Sequence, residues 1–97
     1  MAQGTLEGEL SFEQVPQQLR QADALIAGGS LDLSRVSRAD SAGLAFLLEL
    51  NRRSRGRTLV MRGANQQVLQ LASFFGLDKI LHFEIREPAW AHGNAAA

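Results

Sequence analysis

The sequence predicts an α/β domain, a mixed but mostly parallel sheet of four to five strands with three main helices. Three observations carry this. Stretches of alternating apolar and polar residues take turns with stretches whose apolar residues recur every three or four positions. The resulting order, strand, helix, strand, helix, strand, helix, strand, calls for crossover connections and parallel pairing. At Asp40-Ser41 the period switches from two to about 3.6, as where a strand runs through a short polar loop into a helix. A chain of 97 residues has room for one modest core and not for two.

Thr5 to Leu10 places Leu6, Gly8 and Leu10 on one face and Glu7 and Glu9 on the other, a strand with one wet side. From Ser11 to Ala27, residues Phe12, Val15, Leu19, Ala22 and Ile26 form one helical stripe. Pro16 lacks an N–H and biases Val15 away from helical geometry, so the regular helix starts near Val15. Gly28-Gly29 stops it. Leu31 and Leu33 alternate with Asp32 and Ser34 in the second strand. Alternation in these two strands implies that one sheet face is less well covered than the other.

The second helix runs from about Ser41 to Arg55. Leu44, Leu47, Leu48 and Leu50 cover an arc of about 160°, and Phe46 widens it to about 200°. A helix lying on a sheet needs about half of that, so either Phe46 or Leu48 should look outward; Phe46, furthest from the stripe's centre, is equally an apolar anchor at the surface or a ring tucked under a neighbouring loop. Thr58 to Met61 is a short apolar strand. Asn65 caps a third helix with Val68, Leu71, Ala72 and Phe75 on one stripe, and Gly76 ends it. Ile80 to Ile85 is a last strand at a sheet edge. The domain is expected over residues 1–85, with residues 86–97, around the lone Trp90, as a flexible tail.

Ten acids balance ten bases, which argues against a nucleic-acid binder. The balance is uneven: residues 1–50 hold seven acids and three arginines, and residues 51–97 hold seven bases and three acids. Arg52, Arg53, Arg55 and Arg57 gather where the second helix ends. Bases there complement the helix dipole, and the same cluster suits lipid headgroups or an acidic partner. The absence of cysteine excludes disulfides and thiol catalysis. No run approaches the ~20 apolar residues of a membrane span, and the first residues lack the pattern of a secretory signal. A soluble, cytoplasmic protein is expected.

Catalysis finds little support. His82 and His92 have no metal-ligand spacing, and no glycine-rich phosphate cradle is present, so no metal or cofactor is expected. Ser41, His82 and an aspartate can be drawn as a triad, but Ser41 lacks the G-x-S-x-G context. The first turn of the second helix has another use. A phosphate on Ser41 would bring nearly two negative charges over unpaired backbone N–H groups, sparing the fold while expelling a docked partner. Equally, Ser41 can be a plain cap worth about 1 kcal/mol. Arg38, Asp40, Ser41, Ala42, Gly43, Leu44 and Phe46 are the expected partner-binding residues, and none is assigned a catalytic role.

Asp32-Leu33-Ser34-x-Val36 followed by Asp40-Ser41-x-Gly43-Leu44 resembles the signature of the STAS domain family, over roughly Thr5 to Ile85. The run from Asp32 to Ala45, the later Gly63-Ala64-Asn65-x-x-Val68-x-x-Leu71-Ala72 and the short C-terminus are most similar to the STAS subunits of phospholipid-trafficking ABC transporters in Gram-negative bacteria. The resemblance implies the STAS fold and a non-catalytic accessory subunit that binds the ABC transporter ATPase subunit. Permease and substrate-binding subunits would complete the complex, which maintains outer-membrane lipid asymmetry. The chain would lie at the cytoplasmic face of the inner membrane, peripheral to it, and ATP would bind the partner. The alternative implied by the family is an anti-sigma factor antagonist, in which the residue matching Ser41 is the regulatory phosphorylation site. In the transporter subunits the matching hydroxyl lies at the ATPase contact. Two departures stand out: the family usually has another strand before Thr5, and many antagonists end in a longer helix where this chain has Pro88 and small residues.

Overall fold

The computed structural model describes residues 4–84. Its elements are β1 (Gly4–Leu10), α1 (Val15–Leu19), α2 (Ala22–Ile26), β2 (Ser30–Ala39), α3 (Ser41–Arg53), β3 (Val60–Arg62), α4 (Gln66–Phe74), a 3-10 turn (Leu77–Lys79) and β4 (His82–Glu84). The strands lie in chain order, β1-β2-β3-β4, and each pairs in parallel with the next. Sequential parallel strands joined by crossovers of one hand put every helix on the same side. Burial agrees: Leu6, Leu10, Leu31, Leu33 and Met61 are buried, whereas Thr5, Glu7, Glu9, Arg62, His82 and Glu84 are exposed. The less covered sheet face expected from the alternation is the one that carries these charges, including ion pairs Arg38–Glu9 at 3.9 Å and Arg62–Glu84 at 3.4 Å.

β2 is longer than the alternation indicated. Against β1 it carries two extra residues, because Thr5 and Glu7 face Asp32 and Arg35, and Gly8 and Glu9 face Val36 and Arg38. The buried positions therefore become Leu33, Val36 and Ala39, a spacing of three that resembles neither strand nor helix. The freed backbone groups find side chains. Asp32 Oδ1 accepts from the Ser34 N–H at 2.8 Å, and Asn65 Nδ2 donates to the carbonyls of Val36 at 3.2 Å and Ser37 at 2.9 Å. The Gln67 amide both donates to the Ala39 carbonyl and accepts from its N–H, each at 2.8 Å, and so replaces a rung that the short β3 does not reach. What reads as a polar loop before Asp40 is the far half of a strand.

The single helix expected between Ser11 and Ala27 is two short ones. The chain tightens where the Gln21 N–H donates to the Gln18 carbonyl at 3.0 Å, three residues back, and Ala22 and Leu25 then turn into the core. β3 and β4 begin two residues later than expected, with Leu59 and Leu81 buried just ahead of them. Phe75, placed on the stripe of α4, is half exposed, since the helix ends at Phe74 and Gly76 turns the chain with φ 74°. Ile85, the expected tail 86–97 with Trp90, and His92 lie outside the described residues.

Candidate partner-docking site

Asp40 closes β2 and opens α3. Its Oδ1 accepts from the Gly43 N–H at 2.9 Å, the N-cap bond, and its Oδ2 accepts from the Phe12 N–H at 3.0 Å. Its own N–H donates to the Leu10 carbonyl at 3.0 Å. One residue thus fixes the helix start and the loop after β1 through its carboxylate, and the end of β1 through its backbone N–H. The Gly43 and Phe12 amides hold the Asp40 carboxyl below the usual carboxylate range. Gly43 is buried against β1, where a methyl group would run into the Leu10 carbonyl. The glycine of the Asp40–Leu44 segment is therefore there for close approach of helix and strand.

Ser41 is exposed as the first residue of α3, and among the described residues its hydroxyl makes no hydrogen bond. The reading of Ser41 as a cap is corrected: Asp40 does the capping alone. Ala42 is half-buried and Ala45 exposed on the same side of the helix. Beside them runs a groove of about 330 Å³ between α1 and α3. Phe12, Val15, Pro16 and Leu19 line one wall, and Ala42, Ala45, Phe46 and Glu49 the other. Hydrogen bonds from Arg52 and Arg53 draw the pKa of the Glu49 carboxyl down to about 2, so the rim of the groove carries an ionised carboxylate paired with two arginines.

The sequence-predicted residues separate into three groups. Asp40, Ser41 and Ala42 stand together at the surface. Gly43, Leu44 and Phe46 lie beneath it, Leu44 at 1 % and Phe46 at 2 % exposure. Of the two readings of Phe46 the buried one holds, because α1 and α2 pack along the flank of α3 and cover the part of its wheel that the sheet leaves open. Arg38 stands on the uncovered sheet face, paired with Glu9, and is not brought to the groove. The exposed aromatic that sequence reasoning missed is Phe12, 77 % exposed. Its position offered the signal: it precedes Val15-Pro16, where the regular helix starts, and so cannot share that helix's stripe. The arrangement offers an apolar shelf, an unengaged hydroxyl and helix N–H groups, and no nucleophile–base pair.

Comparisons with known proteins bear on the family and the fold. A family model described as Mlab, STAS domain, matches residues 5–83. The MlaB proteins of Escherichia coli (strain K12) and Shigella flexneri, each described as an intermembrane phospholipid transport system binding protein, are 43 % identical over 49 residues. That match covers 48 % of this chain and 50 % of each relative, so the chain spans about half the length of the relatives it matches. A Thermotoga maritima protein described as an anti-sigma factor antagonist superposes with a TM-score of 0.68 at 19 % identity, over 96 % of this chain and 86 % of the other. The antagonist SpoIIAA in its unphosphorylated form superposes at 0.57 with 18 % identity and the same coverage. These two likenesses show the fold.

Proposed function

The chain belongs to the STAS domain family, and from that premise we propose that it is a non-catalytic accessory subunit of a phospholipid-trafficking ABC transporter. Its partner is the ATPase subunit at the cytoplasmic face of the inner membrane, with permease and substrate-binding subunits in the assembled complex. Among the described residues no helix is long and apolar enough to cross a membrane, which fits attachment through a partner. Similarity to the MlaB proteins supports the choice of partner. One observation carries the docking surface: the fold uses Asp40 to cap α3 and leaves the Ser41 hydroxyl free beside an apolar groove.

Asp40, Ser41 and Ala42 form the contact, with Phe12 as the aromatic that enters it. Arg38, paired with Glu9 on the sheet face, stays outside it, while Gly43, Leu44 and Phe46 support it from below. A negative group on Ser41 sits at the positive end of α3 and leaves the fold intact, but confronts the partner with charge beside Asp40. Ser41→Asp therefore weakens ATPase binding by tenfold or more at unchanged melting temperature. Titration of the purified ATPase checks this, and full affinity in Ser41→Asp would remove the surface from the account.

The Asp40-Ser41-x-Gly43-Leu44 signature motivates a second reading, a regulator switched by phosphorylation of Ser41. Affinity capture with identification of the bound proteins separates the two. An ABC ATPase with its permease supports the transporter reading, and a serine kinase of the histidine-kinase-like ATPase type supports the switch.

A further inference from the structure

The helices run against the strands, so their C-terminal ends collect at the end of the molecule opposite Ser41. The loops after α2, α3 and α4 lie side by side there, in the order the sheet dictates, about 5 Å per strand apart. Two kinds of side chain meet on them. Phe74, Phe75 and Ile80 are 81 %, 50 % and 56 % exposed, and the two rings stack edge to face with centroids 5.2 Å apart. These are three of the four large apolar side chains exposed among the described residues. At the ends of α2 and α3, on the neighbouring crossovers, Arg53, Arg55 and Arg57 line a cleft of about 290 Å³ with Ile26, Ala27 and Ser54.

Dipole compensation accounts for only part of this basic cluster. Arg52 and Arg53, in the last turn of α3, are held by Glu49 at 2.6 Å and 2.8 Å. Arg55 and Arg57 lie beyond the helix, and with Lys79 they form no ion pair among the described residues. Arg55 holds φ 54°, the left-handed position after a helix that glycine usually takes. Asp78 is the acid on the α4–β4 loop. An apolar cluster edged by unpaired cations suits a surface that is oily inside and anionic at its boundary.

We propose that this end contacts an anionic lipid bilayer. Phe74, Phe75 and Ile80 enter the headgroup–acyl boundary, the arginine cleft receives a lipid phosphate, and Lys79 adds attraction. The contact is independent of the Ser41 surface, since it uses the other end of the helices, and one chain can make both at once.

Flotation of the full chain with vesicles tests it, comparing phosphatidylcholine alone with phosphatidylcholine containing phosphatidylglycerol. Association is expected with the anionic vesicles and weakens as salt is added. Arg57→Glu/Lys79→Glu lowers partitioning by tenfold or more, and Phe74→Ser/Phe75→Ser lowers it comparably. Ser41→Asp leaves it unchanged, which keeps this outcome separate from partner docking. All four substituted side chains are exposed, and equal melting temperatures establish that the variants are folded. The proposal is overturned by equal or absent association with the two vesicle types, by anionic binding that survives both double variants, or by an acidic peptide that saturates the arginines while vesicles do not bind.

Discussion

α3 and α4 begin in the same way and end up serving different purposes. Each is capped by a side chain that accepts from the N–H three residues on, Asp40 from Gly43 at 2.9 Å and Asn65 from Val68 at 3.0 Å. Each capping side chain also reaches a distant backbone, Asp40 the Phe12 N–H and Asn65 the carbonyls of Val36 and Ser37. They part at the third helical residue. In α3 it is Gly43, flush against the Leu10 carbonyl, and in α4 it is Val68, whose side chain fills the core. They part again in how the polar first turn is used. Gln67 of α4 is engaged at both ends of its amide by Ala39, while Ser41 of α3 makes no such bond. One opening completes the sheet, and the other leaves its first hydroxyl unengaged among the described residues.

The comparison breaks most sharply at the third residue. Gly43→Val costs about 3 kcal/mol through overpacking, whereas Val68→Ala costs about 1–2 kcal/mol through a modest cavity; urea denaturation checks both. Next come the caps. Asp40→Ala leaves two amides without their acceptor and costs about 2 kcal/mol, and Asn65→Ala costs about as much by the same measurement. Acid sharpens the difference between them, because only Asp40 titrates. Its carboxyl pKa is lowered by the Gly43 and Phe12 amides, so its stabilisation is complete above the unfolded value near 3.9 and drains as pH falls below it. Denaturation midpoints followed down in pH fall less steeply in Asp40→Asn than in the parent chain. The smallest effect is at Ser41: Ser41→Ala changes stability by less than about 0.5 kcal/mol, because among the described residues the hydroxyl makes no hydrogen bond.

Local features of the fold could be read directly. The alternation of Leu6 and Leu10, the stripe of Leu44, Leu47 and Leu50, and the caps Asp40 and Asn65 each depend on residues a few positions apart. The D-S-x-G-L segment marked both the family and the start of α3 for the same reason. Features that depend on a neighbour were not legible. Phe46 is covered because α1 lies alongside α3, which a single helical wheel does not contain. The second half of β2 was hidden because each bulge inserts a residue and converts alternation into a spacing of three. Its stability comes from Asn65 and Gln67, more than twenty residues away in the chain. Phe12 was misplaced for a related reason: its backbone is pinned by Asp40, which holds it outside the helix that its spacing seemed to extend.

Because Asp40 alone secures the start of α3, the neighbouring position is open to chemistry that a capping residue could not tolerate. The chain has no cysteine, so Ser41→Cys would place a single thiol at the mouth of the apolar groove. A fluorophore attached there would report the arrival of any occupant by a change in emission, and a crosslinker would record which residue of the visitor comes to rest against it.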